Sequence, residues 1–150
     1  MLKLDHVVFP VRDAAASLGF YRGVLGLPLV ETHAGEDWGG YPWLMMIFGL
    51  SAQHELVLVA LEGAPAADYG RLPPDVRHYA LSVGAEVELD AWRERLEAAG
   101  VALWEERHGE RRSLYFSDPD GVVIELTWPA AAPRRMEDPA AVAAVLARLG

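Results

Sequence analysis

Arg107-His108-Gly109-Glu110-Arg111-Arg112-Ser113-Leu114-Tyr115-Phe116-Ser117-Asp118-Pro119-Asp120-Gly121-Val122-Val123-Ile124-Glu125 reads as strand, tight turn, strand. Asp118-Pro119-Asp120-Gly121 is turn chemistry, because proline presets φ and glycine accepts a positive φ. Strand side chains alternate, so before the turn Ser113, Tyr115 and Ser117 share a face, and after it Val123, Glu125 and Thr127 share a face. A carboxylate inside the apolar run from Val122 to Leu126 is costly unless partnered. Its partner must be a cationic side chain, with Arg112 the nearest candidate, or a metal ion.

Outward from this stretch the pattern is duplicated. Leu2 to Pro10 reads as a strand with His6 in its middle, and Asp13 is placed to cap a helix over Ala14 to Leu25. Gly26 stops that helix. Leu27 to His33 is expected as a short strand, Ala34 to Gly40 as a loop, and Tyr41 to Leu50 and His54 to Glu62 as apolar strands. A Pro/Gly/Ala-rich linker runs from Gly63 to Val76. Then Arg77 to Val83 is a strand carrying His78, Glu88 to Ala99 a helix, and Val101 to Glu106 a strand leading into the opening stretch. Both halves read β-α-β-β-β, about 2–63 and 76–128. An Ala-rich helix, 138–149, follows a Pro129–Pro133 tether and is expected to pack on a surface or a neighbouring subunit. The expected fold is α+β: one domain over residues 1–150 built from paired βαβββ modules, forming a curved, partly open, barrel-like mixed sheet with helices outside.

Composition narrows the function. The chain has 150 residues, 52% hydrophobic, which suffices for a sizeable interior. A net charge of -9 disfavours nucleic acid, whose phosphates it would repel. Cysteine is absent, so there are neither disulfides nor thiolate metal sites. The longest apolar runs are too short to span a bilayer, and the N-terminus opens into a strand pattern, so a cytoplasmic protein is expected.

His6 shares its strand face with Leu4 and Val8, His78 with Ala80 and Ser82, and Glu125 with Val123 and Thr127. In each strand the polar residue lies on the face with smaller neighbours, as in a strand lining a cavity. Two imidazoles and one carboxylate form a facial triad with open positions, typical of Fe(II); Mn(II) and Zn(II) accept the same ligands. On the same strand parity, Tyr41, Trp43, Met45 and Ile47 offer an apolar wall or ordinary core.

The paired layout and these three positions resemble the vicinal oxygen chelate superfamily, which includes glyoxalase I, fosfomycin-resistance thiol transferases, bleomycin-binding proteins and extradiol ring-cleavage dioxygenases. The resemblance covers Leu2 to about Trp128. It implies His6, His78 and Glu125 as ligands of a divalent metal, Fe(II) first, and a homodimer. His108, Leu114, Tyr115, Asp118, Pro119, Gly121 and Glu125 also fit the extradiol dioxygenase signature, although Glu106 stands where a small residue is expected. Gln53-His54-Glu55-Leu56-Val57-Leu58 resembles the dioxygenases' His-His-x-x-Ala-Leu segment. That branch implies O2-dependent cleavage of a catecholic substrate, with His54 as acid/base, Tyr115 bonded to a substrate oxygen and His108 supporting from its loop.

Three other branches compete. A glyoxalase I-like isomerase needs a fourth ligand near Val57, which cannot bind metal. Thiol transferases use the same ligand triad, but carry threonine where this chain has Val8 and lysine where it has Glu105, after Trp104. Arg134 matches their phosphonate-binding arginine. A bleomycin-type binding protein would lack the triad.

Overall fold

The computed structural model describes residues 4–66, 73–131 and 137–149. Its strands are β1 (His6–Val11), β2 (Leu29–Trp38), β3 (Tyr41–Ser51), β4 (His54–Leu61), β5 (His78–Ser82), β6 (Leu103–His108), β7 (Arg111–Ser117) and β8 (Val123–Trp128). Its helices are α1 (Ala14–Leu18), which continues as a π-helical stretch over Gly19–Val24, α2 (Glu86–Ala98) and α3 (Pro139–Leu149). The strands form two four-stranded sheets, ordered β1-β4-β3-β2 (sheet A) and β5-β8-β7-β6 (sheet B). In each sheet the first strand runs parallel to the last and the hairpins are antiparallel. The two sheets are therefore one topology used twice, and neither closes. This is the expected α+β fold of paired βαβββ units.

Each sheet has two unlike faces. One face of sheet A (Leu56, Leu58, Met46, Phe48) and one of sheet B (Leu114, Phe116, Ile124, Leu126) share a single core with Phe20, Tyr21, Leu89 and Leu96 from the helices. Burial of a side chain such as Leu89 or Leu96 contributes about 2 kcal/mol. The faces turned away from that core, here called open faces, carry His6 on sheet A and Glu125 on sheet B. Sheet A's open face holds its own small apolar cluster of Ile47, Val57 and Val59 with Met45 and Leu61. Of the wall expected at Tyr41, Trp43, Met45 and Ile47, Met45 and Ile47 pack into that cluster, while Trp43 meets Trp38 edge-on.

Phe9 of β1 stacks on Tyr79 of β5 at 5.4 Å, which joins the two sheets. A buried hydrogen-bond chain reinforces the joint: Tyr79 Oη donates to Tyr21 Oη at 3.2 Å, and Tyr21 Oη donates to Asp118 Oδ2 at 2.7 Å. Asp118 also accepts the backbone N–H groups of Asp120 and Val122, both at 2.9 Å, so it closes its own turn. Burial pushes the Asp118 carboxyl above its ordinary pKa, and pushes both phenols up as well. Gly121 supplies the positive φ the turn demands (81°).

Two elements differ from the sequence reading. β2 runs on through Ala34–Trp38, where a loop is expected, because β3 supplies a ladder past a bulge between Gly35 and Trp38. The first helix changes to π-helical spacing at Gly19, two residues after its buried Ser17. Much of the linker, 67–72, and the end of the Pro129–Pro133 tether lie outside the described residues. The described side chains of α3 are exposed, Val142, Val145 and Leu146 among them.

Candidate metal centre

Glu125 sits at the middle of β8 and is 6% exposed. The register puts it opposite Tyr115 on β7 and Ala80 on β5, so its nearest strand neighbours are an aromatic ring and a methyl. Its two oxygens are separately held. Ser113 Oγ donates to Oε1 at 2.6 Å, and Ser113 is itself 2.9 Å from the Thr127 hydroxyl. Oε2 lies 3.1 Å from His78 Nε2.

The tautomer of His78 decides what that last contact is. His78 Nδ1 is 2.6 Å from the backbone carbonyl of Asp75, which only accepts, so Nδ1 carries the proton. In neutral imidazole Nε2 then points a lone pair at a carboxylate oxygen, with no proton between them. Either a proton sits between the two atoms, on the ring or on the carboxyl, or both bind one cation. The spacing fits a metal ion. Two donors about 2.1 Å from an ion stand about 3.0 Å apart at a right angle, and about 3.4 Å apart in a tetrahedron. The carbonyl on Nδ1 and the hydroxyl on Oε1 are the kind of outer partners that fix metal ligands.

His6 is prepared in the same way. Its Nδ1 faces Asp5 Oδ1 at 2.7 Å, which leaves Nε2 free on an exposed ring. It is not brought to His78 and Glu125, however. Among the described residues no group of three or more His, Asp or Glu side chains is placed to hold one ion. The open faces of sheets A and B point away from a shared core, so one chain presents His78 with Glu125 and, separately, His6.

The duplicated topology shows how the two half-sites correspond. His78 pairs with Val123, and two residues on comes Glu125. His6 pairs with Glu55, and two residues on comes Val57, buried in the apolar cluster of sheet A. Val57 therefore occupies the position that Glu125 fills in sheet B, and it supplies no fourth ligand.

The other expected residues separate. Tyr115 lies on the open face of sheet B, with its ring edge-on to His78 at 5.9 Å. Burial and the charge of Glu125 push its hydroxyl up. His108 is on the same face but at the far end of β6, 3.0 Å from Glu106 and exposed. His54 has the strand parity of Leu56 and Leu58, which belong to the shared core, and its Nδ1 is 2.8 Å from Ser51 Oγ. That places it on the opposite side of sheet A from His6. Arg112, the alternative partner for Glu125, faces α2 instead, held by Glu105 at 2.9 Å and Asp90 at 2.7 Å. Arg134 lies outside the described residues. Ser113 and Trp104 were not singled out as site residues, though both share strand parity with residues that were.

A family model described as Glyoxalase/Bleomycin resistance protein/Dioxygenase superfamily matches residues 3–126. The chain belongs to this superfamily. Within it, glutathione transferase FosA of Serratia marcescens is 32% identical over 131 residues, covering 82% of this chain and 78% of that protein. Metallothiol transferase FosB of Bacillus licheniformis is 30% identical over 132 residues, covering 84% and 75%. A solved glyoxylase/bleomycin resistance protein/dioxygenase domain from Frankia sp. EAN1pec has TM-score 0.70 at 25% identity, covering 85% of this chain and 97% of that one. A variant of the fosfomycin resistance protein FosX of Listeria monocytogenes, solved with Mn(II) and 1S,2S-dihydroxypropylphosphonic acid, shares the fold at TM-score 0.60 and 23% identity, covering 84% and 91%.

These relatives favour the thiol transferase alternative over the expected dioxygenase branch. FosA and FosB are thiol transferases by name and FosX is a fosfomycin resistance protein; dioxygenase specificity, with its O2 and preference for iron, finds no support in them. The Asp-Pro-Asp-Gly turn followed by Glu125 positions a carboxylate and says nothing of the reaction.

Proposed function

We propose that this chain is a divalent-metal-dependent thiol transferase, related in reaction to the FosA and FosB proteins it resembles. One observation carries the reading: an imidazole nitrogen whose lone pair faces a buried carboxylate oxygen at 3.1 Å, each fixed from behind by a hydrogen bond. His78 and Glu125 hold the ion, and His6 of a second copy completes the set, which makes the active unit a homodimer. Mn(II), the ion in the FosX structure, is the first candidate.

The bound ion supplies a Lewis acid that polarises a substrate oxygen. The chain's own groups do the rest. Ser113 keeps Glu125 turned toward His78. Tyr115 presents a phenolic O–H beside the pair, able to donate to a substrate oxygen as negative charge develops on it. Glu125, Ser113 and Tyr115 are themselves buried, so the carboxylate is shielded from bulk water. Two departures from the thiol transferase pattern bear on the substrate: Val8 is exposed on sheet A, and Glu105 turns toward α2 and Arg112.

The test is Mn(II)-loaded protein with glutathione or cysteine and an epoxide, following the thioether by chromatography. Metal-dependent product, lost in Glu125→Ala, is expected. Metal binding without transfer to any epoxide would contradict the reaction class.

A further inference from the structure

On the open face of sheet B the indole of Trp104 lies flat on the Tyr115 ring, centroids 5.2 Å apart and planes 14° apart. Among the described residues no second ring stacks on this indole, and Trp104 remains 37% exposed. The ring is held in its plane from the side. Trp104 Nε1–H donates to Glu106 Oε1 at 3.1 Å, and the other oxygen of Glu106 is 3.0 Å from His108 Nε2. Tyr115 in turn meets His78 edge-on. An ordered aromatic surface thus runs from the metal pair outward and ends in a free indole face.

The charge on this face is equally specific. Its strand positions hold one arginine, Arg111, four residues along β7 from Tyr115, about 13 Å of strand away. The neighbouring Arg107 and Arg112 point to the other face, where Glu86, Glu105 and Asp90 engage them. Glu106 adds a second carboxylate beside the platform. The described strand positions on the open face of sheet A carry His6, Glu31, His33 and Glu55 but neither lysine nor arginine. A phosphonate dianion wants a guanidinium or ammonium at hydrogen-bond distance. A neutral arene wants a flat ring already fixed in place.

We propose that Trp104 is a specificity residue, and that the site takes a neutral substrate bearing a planar apolar group stacked on the free face of its indole, in preference to an anionic phosphonate. This deepens the thiol transferase reading and rests on it for where the reacting oxygen sits. Binding tests it without requiring turnover. Two vicinal diols are compared by calorimetry on apo and Mn(II)-loaded protein: 1-phenylethane-1,2-diol and 1,2-dihydroxypropylphosphonic acid. The phenyl diol is expected to bind at least tenfold tighter. Trp104→Ala should weaken it about tenfold and leave Mn(II) affinity unchanged, while Trp104→Phe restores most of the loss. Tighter binding of the phosphonic acid overturns the proposal, as does equal binding of the phenyl diol by wild type and Trp104→Ala. Preferential phenyl-diol binding without any thioether product keeps the platform and removes the transferase reading. Mn(II)-dependent thioether formation with phosphonate preference does the reverse.

Discussion

At the scale of single residues, Glu125 is the position whose chemistry was most legible. A carboxylate in an apolar strand has to be answered by something, and the sequence narrowed the answer to a cation. It favours a metal over Arg112, but which way each side chain faces is set by the sheet around it. Once β7 pairs with β8, Arg112 belongs to the helix side and Ser113 to the side of Glu125. Ser113 then becomes a positioning residue. Ser113→Ala should weaken Mn(II) binding by about 10- to 100-fold while leaving the fold intact, because what is lost is the outer hydrogen bond to Glu125 and the one to Thr127. Electron paramagnetic resonance of a Mn(II) titration reads this directly, and unchanged affinity would leave the serine with a packing role alone. His54 illustrates the opposite case. Its parity with Leu56 and Leu58 was on the page of the sequence, yet motif likeness outweighed it, and the structure sets it on the shared-core side of sheet A.

At the scale of elements, the hairpin around Asp118-Pro119-Asp120-Gly121 and the alternation of β and α were readable because local chemistry alone specifies them. The extension of β2 was not, since Gly35, Glu36 and Asp37 are poor strand formers and only the ladder from β3 keeps them extended. Gly35 is required there by close approach: a Cβ at this position would lie 2.6 Å from Trp43 Nε1. Gly35→Ala is expected to cost about 1–3 kcal/mol by overpacking, read as a lower urea midpoint at unchanged m.

A second element-scale prediction concerns acid stability. Arg112, buried among β7, β6 and α2, holds Glu105 with two hydrogen bonds and Asp90 with one, and Arg93 also reaches Glu105. The Arg112 hydrogen bond keeps the Glu105 carboxyl below its ordinary pKa. A carboxyl depressed in the folded state stabilises above its unfolded pKa, and that contribution is lost as pH falls through the folded value. Asp118 has the other sign: raised by burial, it favours the folded state below its ordinary pKa and loses that contribution as pH rises through the raised value. Arg112→Met should therefore cost about 2 kcal/mol near neutral pH. The cost should shrink below about pH 4, where Glu105 protonates in the unfolded chain. Urea midpoints of both proteins across pH 3 to 7 (about four points suffice to see the slope) check it. A difference that stays constant with pH would mean the arginine acts by packing alone.

At the scale of the whole molecule, the duplication explains both what the sequence revealed and what it hid. Two histidine-bearing strands in equivalent places were visible, and so was the single glutamate. Their placement on faces that diverge from one core was not, because facing between sheets follows from how Phe9 meets Tyr79 and how Tyr21 reaches Asp118. One chain then holds two unlike half-sites, one with His78 and Glu125, the other with His6 alone. If two copies complete each other, His6→Ala and Glu125→Ala proteins should each be inactive and unable to retain Mn(II). Unfolded together and refolded as a mixture, they should regain metal and activity in the mixed dimers. Chromatography with light scattering gives the oligomeric state, and a monomer that binds Mn(II) fully would rule out sharing between copies.

The metal half-site itself is tested most directly by titrating purified, chelator-stripped protein with Mn(II) and counting ions per chain. One ion per chain is predicted for the native protein, with binding reduced at least a hundredfold in His78→Ala and in Glu125→Ala. Native protein that takes up no ion, or the two variants binding as well as native, would contradict it, and would leave the Glu125 carboxylate paired with a cationic His78 instead.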